Sequence, residues 1–389
     1  MSEPVRVVHL IPSLERAGAE NALTRVVTHS DPAQVRHTVV SLTGRGPLAE
    51  PIEAAGVEVI ALGARSPAST LLRLPRLLSV IRAARPEVVQ GWMVHANLLA
   101  WLARALAAPS ARLAWNLRGS AGQLEYERPL TRLLTRAAAT VSKSVDLLIA
   151  NSAAGFAQHA ALGYRPKIGE VLPNGFDLDT FRPDAGTRNR IRDELGLPTD
   201  AIAFGLIGRF HPVKGHTVFA EAAGTVAPTA PNATFVLVGA GTQDSQELEA
   251  LLAEHQVTHR FLRLGVRADV ADIMRALDVV CVPSFYEGFP NVVGEAMACA
   301  IPCIATEVSD VRTILGDGGL VIPIGDAEAL ADAMTTLAAD TAGREAMGRA
   351  GRQRAEETYC IRTITSRYTN LYRSQLTGND DVPLPHPTN

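Results

Sequence analysis

Short β-branched runs alternate with longer stretches of helical periodicity along the whole chain, and this alternation most constrains the fold. When a helical crossover links consecutive strands, the chain returns to the end of the sheet where the first strand began, so the strands pair in parallel. Strands are expected at Val5–Ile11, His37–Leu42, Val57–Ala61, Glu87–Gly91, Arg112–Asn116 and Asp146–Ala150 in the first half. In the second half they are expected at Ile202–Ile207, Thr234–Val238, Arg260–Leu264, Asp278–Val282, Ile301–Ala305 and Leu320–Ile322. With 389 residues the chain is too long for one ordinary core, so each half builds its own parallel sheet. No sequence repeat relates the halves; only the architecture recurs.

Pro173, Asn174, Gly175 and Pro183 punctuate Leu172–Asp184, and strand periodicity resumes only after Leu197. The expected domains are 1–177 and 178–360, with a helix over 361–377 crossing back to the first domain. A short helix is expected over Asn189–Leu195. From Gly378 the chain is polar and Pro-rich, and 378–389 is expected to be disordered.

Apolar residues make up 47% and charged residues 20%, which excludes a disordered chain. No apolar run reaches the ~18 residues of a spanning helix. Arg6 interrupts the first apolar run, which carries no small-residue cleavage site and reads as a strand rather than a signal peptide. Cys281, Cys299, Cys303 and Cys360 form no CxxC pair and no His-flanked metal spacing. They read as free thiols in a reducing compartment, so a cytoplasmic location is expected. Residues 1–177 carry 19 Lys+Arg against 13 Asp+Glu, a balance of +6, and the remainder 18 against 27, a balance of −9. A basic first half suits an anionic acceptor or the inner membrane face as well as it suits solvated helix faces. Arg128, Arg132 and Arg136 recur beside Leu130, Leu133 and Leu134, with Lys143 further on, as an amphipathic basic helix would place them.

Four features carry chemistry. Gly208-Arg209-Phe210 follows the strand IAFGLI, with Lys214-Gly215 shortly after. Ligands of parallel sheets bind beyond the carboxyl ends of strands, where this loop falls. Arginine grips a diphosphate through two parallel N–H bonds, and lysine adds a point charge. The second feature is SFYEGFPNVVGEAMA. Pro290 suits the first turn of a helix, and neither Gly288 nor Phe289 supplies a side-chain cap, which leaves N–H groups and a positive dipole end for an anion. Glu287 precedes this helix and Glu295 lies inside it, and the two carboxylates can accept bonds from sugar hydroxyls. The third is the Ser13–Glu20 loop, whose Gly18 lets backbone approach a ligand. The fourth is GWMVHAN, Gly91–Asn97, with His95 at a helix start. Asn97, Asn116, Arg118 and Ser152 stand near strand ends and are candidates for an acceptor pocket.

The E-G-F-P-N-V-V-G-E run resembles the paired-glutamate signature of the family-four retaining glycosyltransferases (glycosyl transferases group 1). The likeness extends to GRFHPVKG, LGVRADV, ALDVVCVPS, EAMACAIPCIAT, PNGFD and ANSAAGFAQHAALGY, and so over about residues 5–375. It implies the α/β GT-B fold, two Rossmann-like parallel-sheet domains facing a central cleft, the first binding the acceptor and the second the nucleotide-sugar donor. It implies that Arg209 and Lys214 hold the donor diphosphate. Glu287 would bind the transferred sugar and Glu295 the ribose, with backbone of Gly288, Phe289, Pro290, Asn291 and Val292 against sugar and phosphates. Leu264–Arg267, with Arg267, would lie beside the nucleobase largely through main-chain contacts, Gly18 near the donor phosphates, and His95 near the reaction centre. The co-substrate implied is a UDP- or GDP-sugar, with no cofactor, no metal and no nucleic-acid partner. The acceptor would be a sugar, a lipid-linked sugar or a small molecule in polysaccharide, glycolipid or natural-product assembly. An epimerase or hydrolase on the same fold, and a catalytically silent nucleotide-sugar-binding subunit, remain alternatives. Neither half opens with GxGxxG after its first strand, which disfavours a dinucleotide oxidoreductase.

Overall fold

A computed structural model describes residues 3–119 and 129–377. The chain divides into two units. Unit 1 comprises the chain up to Gly175 together with everything from Ile361 onward, and unit 2 runs from Phe176 to Cys360. The helix Ile361–Thr377 belongs to unit 1. The expected disordered tail lies outside the described residues.

Unit 1 is built on seven strands: β1 (Val5–Ile11), β2 (Val35–Ser41), β3 (Glu58–Ala61), β4 (Val88–Trp92), β5 (Arg112–Leu117), β6 (Leu147–Ala150) and β7 (Ile168–Val171). All pair in parallel in the order β3-β2-β1-β4-β5-β6-β7, with Leu10 beside Val40 on one side and Gly91 on the other. β1 shows why the sheet is buried on both faces. Val5, Val7 and Ile11 enter one core, and Val8 and Leu10 enter the core on the opposite face. The first core is completed from the far end of the chain by Ile364, Tyr368, Leu371 and Tyr372, spaced as one stripe of the helix Ile361–Thr377.

Unit 2 holds β8 (Ile202–Ile207), β9 (Ala233–Val238), β10 (Phe261–Arg263), β11 (Val279–Val282), β12 (Cys303–Thr306) and β13 (Gly319–Ile322). They form one parallel sheet in the order β10-β9-β8-β11-β12-β13, again with a core on each face. Twelve of the thirteen strands lie where the alternation puts them, within two residues at each end. The one missed, β7, is a four-residue edge strand, IGEV, with a glycine, a glutamate and no fully buried side chain. The short helix expected over Asn189–Leu195 runs Ala185–Glu194, started by the Asp184 carboxylate accepting from the Thr187 N–H.

Candidate functional site

In each sheet the strand order reverses once, between β8 and β11 in unit 2 and between β1 and β4 in unit 1. Loops leaving the carboxyl ends of two such strands diverge to opposite faces and leave a crevice between them, the usual ligand position in open parallel sheets.

In unit 2 the loop after β8 carries Arg209 and Lys214, and the loop after β11 carries Glu287. Two contacts fasten these loops together. The Phe285 N–H donates to the Val213 carbonyl at 2.9 Å. Gly215, with φ +69°, lies so close to the second loop that a Cβ there would sit 1.9 Å from the Pro283 carbonyl oxygen. Only glycine accommodates both that φ and that approach. As a result Lys214 Nζ reaches Glu287 Oε1 at 2.6 Å, and the Ser284 hydroxyl donates to the same oxygen at 2.8 Å. Arg209 is exposed and has no hydrogen bond or ion pair among the described residues. Burial, with Lys214 nearby, pushes the imidazole of His216 down to about 4, so this side chain adds no charge to the loop near neutral pH.

The helix after the second loop runs Asn291–Ala298 and has no side-chain cap; Pro290 is its N-cap residue rather than a first-turn residue. The structure therefore differs slightly from the expectation. Pro290 has no N–H, so amides of Phe289, Asn291 and Val292 are the ones this segment can turn to an anion. The Ser309 hydroxyl fixes the segment by donating to the Gly288 carbonyl at 3.0 Å. Glu295, one turn into the helix, is buried. Arg267 is held elsewhere. It makes a two-bond fork with Asp269, Nε at 2.8 Å and Nη2 at 2.7 Å, and a further bond to Glu194 at 2.9 Å. Its guanidinium is thus engaged by carboxylates of its own unit, and those bonds raise its pKa further.

At the unit 1 switch, Gly18 opens the helix Gly18–His29 with no side-chain cap. The Ser13 hydroxyl donates to Glu20 Oε1 at 3.1 Å, and burial is the largest influence on the Glu20 carboxyl, raising its pKa. On the other side Met93, exposed and in the left-handed region at φ +67°, turns β4 directly into the helix Met93–Ala107. Gly91 permits this sharp reversal, since a Cβ there would meet the Asn97 Cα at 2.5 Å. His95 is half-buried in the first turn.

The four residues expected at an acceptor pocket are largely engaged in holding the framework. Asn97 and Asn116 exchange side-chain to backbone bonds at 3.3 and 3.4 Å. Ser152 caps the helix Ala153–Ala161 by accepting from the Gly155 N–H at 3.1 Å. Asn116 also donates to the Tyr368 hydroxyl at 2.9 Å, and Arg118 bonds Tyr368 and Asn174 while stacking 4.5 Å over the Trp92 ring. Sequence reasoning brought none of the helical tyrosines into this group, because periodicity marks them as core without revealing which polar ends they meet. It also missed Ser284, although the serine stands three residues before Glu287 in the same loop.

Two family models match the chain, the Glycosyltransferase Family 4 model over residues 16–180 and the Glycosyl transferases group 1 model over residues 201–340. Together they take in every strand but β1. The chain belongs to the family 4, group 1 glycosyltransferases. Within the family, a D-inositol 3-phosphate glycosyltransferase of Kribbella flavida is 34% identical over 56% of this chain and 54% of its own length. A UDP-Gal:alpha-D-GlcNAc-diphosphoundecaprenol alpha-1,3-galactosyltransferase of Escherichia coli is 30% identical over 44% of this chain and 45% of its own. The chain thus spans about half the length of the curated relatives it matches. The crystal structure of Anabaena Alr3699/HepE in complex with UDP and glucose shares the fold, with a TM-score of 0.84 over 95% of this chain and 100% of that one at 23% identity. WaaG, a glycosyltransferase involved in lipopolysaccharide biosynthesis, superimposes with a TM-score of 0.73 over 95% of this chain and 99% of that one at 17% identity.

Proposed function

We propose that this glycosyltransferase moves a sugar from a nucleoside-diphosphate-sugar, a UDP- or GDP-sugar, to an acceptor hydroxyl with retention of anomeric configuration. The observation that supports the donor reading best is the fastening of the β8 and β11 loops, which gathers two cations, a carboxylate and an uncapped helix start at one switch point. Arg209 and Lys214 take the diphosphate, Glu287 the transferred sugar and Glu295 the ribose. The backbone of Leu264–Arg267 lies along the base, while the Arg267 side chain holds its own loop. In a front-face displacement the departing diphosphate accepts the acceptor's proton. The charge growing on it is stabilised by Arg209, Lys214 and the helix dipole. That positive field replaces a divalent ion. The acceptor is assigned to the β1–β4 switch of unit 1, with His95 touching sugar or nucleophile and Asn97, Asn116, Arg118 and Ser152 framing the pocket. Relatives named for inositol phosphate and for a diphosphoundecaprenol-linked sugar support an acceptor that carries phosphate.

The test begins with calorimetry against UDP- and GDP-sugars. The bound donor is then incubated with phosphorylated and lipid-linked acceptors, and the product is analysed by mass spectrometry and NMR for its anomeric configuration. Transfer with retention is expected, surviving EDTA, and His95→Ala is expected to lower kcat with little effect on nucleoside-diphosphate affinity. Donor turnover without any acceptor would mark an epimerase or hydrolase, and binding without turnover a silent subunit.

A specific observation supports contact with an anionic membrane. In the helix Pro129–Val141, Leu130 and Leu133 are 44% and 63% exposed beside Arg132 and Arg136. Arg128 of that basic row lies outside the described residues. No helix among the described residues is long and apolar enough to cross a membrane.

A further inference from the structure

Glu287 is held by one oxygen only. Both of its side-chain hydrogen bonds, from Lys214 Nζ at 2.6 Å and from the Ser284 hydroxyl at 2.8 Å, arrive at Oε1. Oε2 accepts nothing among the described residues and stays open to solvent. The two donors differ in kind. Lys214 is a flexible side chain, partly exposed, and is also the residue assigned to the donor diphosphate. Ser284 is 1% exposed, and its backbone is tied to β12, where the Thr306 hydroxyl donates to the Ser284 and Val282 carbonyls.

We propose that Ser284 is a positioning residue for donor-sugar recognition: it fixes Oε1 of Glu287 and so reserves Oε2 for the hydroxyls of the transferred sugar. The proposal rests on the donor reading of unit 2. Its physical basis is the contrast between the two donors. When a diphosphate draws the ammonium of Lys214, Glu287 loses one of its two restraints. A carboxylate left with none would rotate about its last two side-chain bonds and would present either oxygen. The buried hydroxyl, locked through β12, keeps one orientation whether or not Lys214 is engaged. A ligand hydroxyl then meets a preorganised acceptor and bears no cost of ordering it.

The experiment uses the full chain and compares Ser284→Ala, Ser284→Thr and Glu287→Gln by calorimetry with UDP, UDP-glucose, UDP-galactose, UDP-N-acetylglucosamine, GDP and GDP-mannose. Melting curves establish that each variant is folded. Wild type is expected to bind one of the nucleotide sugars more tightly than the matching nucleoside diphosphate. Ser284→Ala should keep nucleoside-diphosphate affinity within about twofold of wild type and lose about tenfold on that nucleotide sugar. Ser284→Thr, which retains the hydroxyl, should recover most of the loss. Adding Ser284→Ala to Glu287→Gln should cost nothing further, since the hydroxyl acts only through that carboxylate. A Ser284→Ala variant that binds the nucleotide sugar as wild type does, or that loses equally on the bare diphosphate, would overturn the assignment of Ser284 alone. Binding of none of the six probes by wild type would overturn the donor reading and this proposal with it.

Discussion

At the scale of single residues, Arg209 and Lys214 are two cations in different states. Arg209 stands exposed and unpaired among the described residues, whereas Lys214 is already neutralised by Glu287. A charge-assisted contact to a diphosphate contributes about 1.5–3 kcal/mol, which is about tenfold or more in affinity. Arg209→Ala should therefore show that full loss in calorimetry with nucleoside diphosphate. Lys214→Ala should show less, because the wild-type lysine must first give up its carboxylate. Glu287→Ala should leave bare diphosphate binding intact or tighter while weakening the nucleotide sugar. Glu295→Ala should weaken both ligands, since both carry a ribose. Equal losses for all four variants would sink this division of labour. The residue types were legible in the sequence because spacing and loop position speak for them. Their mutual bonds were not, since nothing in GRFHPVKG says that its lysine lies against a glutamate 73 residues away. Arg267 is a related case: its place in LGVRADV offers main-chain groups to a nucleobase, and the sequence does not say that the Asp269 and Glu194 carboxylates hold its side chain.

Among elements, strands were read more securely than their edges. A parallel sheet covered on both faces leaves continuous apolar runs that survive any uncertainty in register. A short edge strand such as β7 leaves only IGEV. Helices gave their faces away by periodicity, and the helix Pro129–Val141 is the case with a consequence outside the fold. Its outward Leu130 and Leu133 have no core to enter, and the arginines between and after them suit lipid phosphates. Flotation with vesicles should recover the protein on phosphatidylglycerol-containing membranes and not on neutral phosphatidylcholine. Leu133→Ser with Arg136→Glu should abolish recovery while leaving the melting temperature nearly unchanged, since both side chains are exposed. Recovery equal to wild type would remove this helix from any membrane contact.

For the molecule as a whole, acid should be the sensitive direction. The Trp92 indole N–H donates to His9 Nδ1 at 3.1 Å, which leaves His9 Nε2 to carry the proton shared with His37 Nδ1 at 2.8 Å. Both rings are consequently neutral and buried. Burial holds His9 well below its ordinary value and pushes His37 down to about 4, matching His216 in unit 2. The unfolded chain takes up these protons near pH 6.5 and the folded one does not. Stability should thus be flat above about pH 6.5 and fall as pH drops towards 4, by up to about 1.4 kcal/mol per pH unit for each such group. Urea titrations at pH 7.5, 6.0 and 5.0 would measure the slope, and His37→Asn should reduce it. An unchanged midpoint between pH 7.5 and 5.0 would contradict the neutral pair.

The split of unit 1 across the two ends of the chain also sets a timetable for synthesis. Seven strands emerge first, yet Ile364, Tyr368, Leu371 and Tyr372, which fill the core on one of their faces, are made last. Between them the ribosome must produce all of unit 2, residues 176–360, which at about 5–20 residues per second occupies roughly ten to forty seconds. For that interval the nascent sheet shows an apolar face only partly covered, by the helix Gly18–His29 and by Ala49 and Ile52, and the unit begun first is the one finished second.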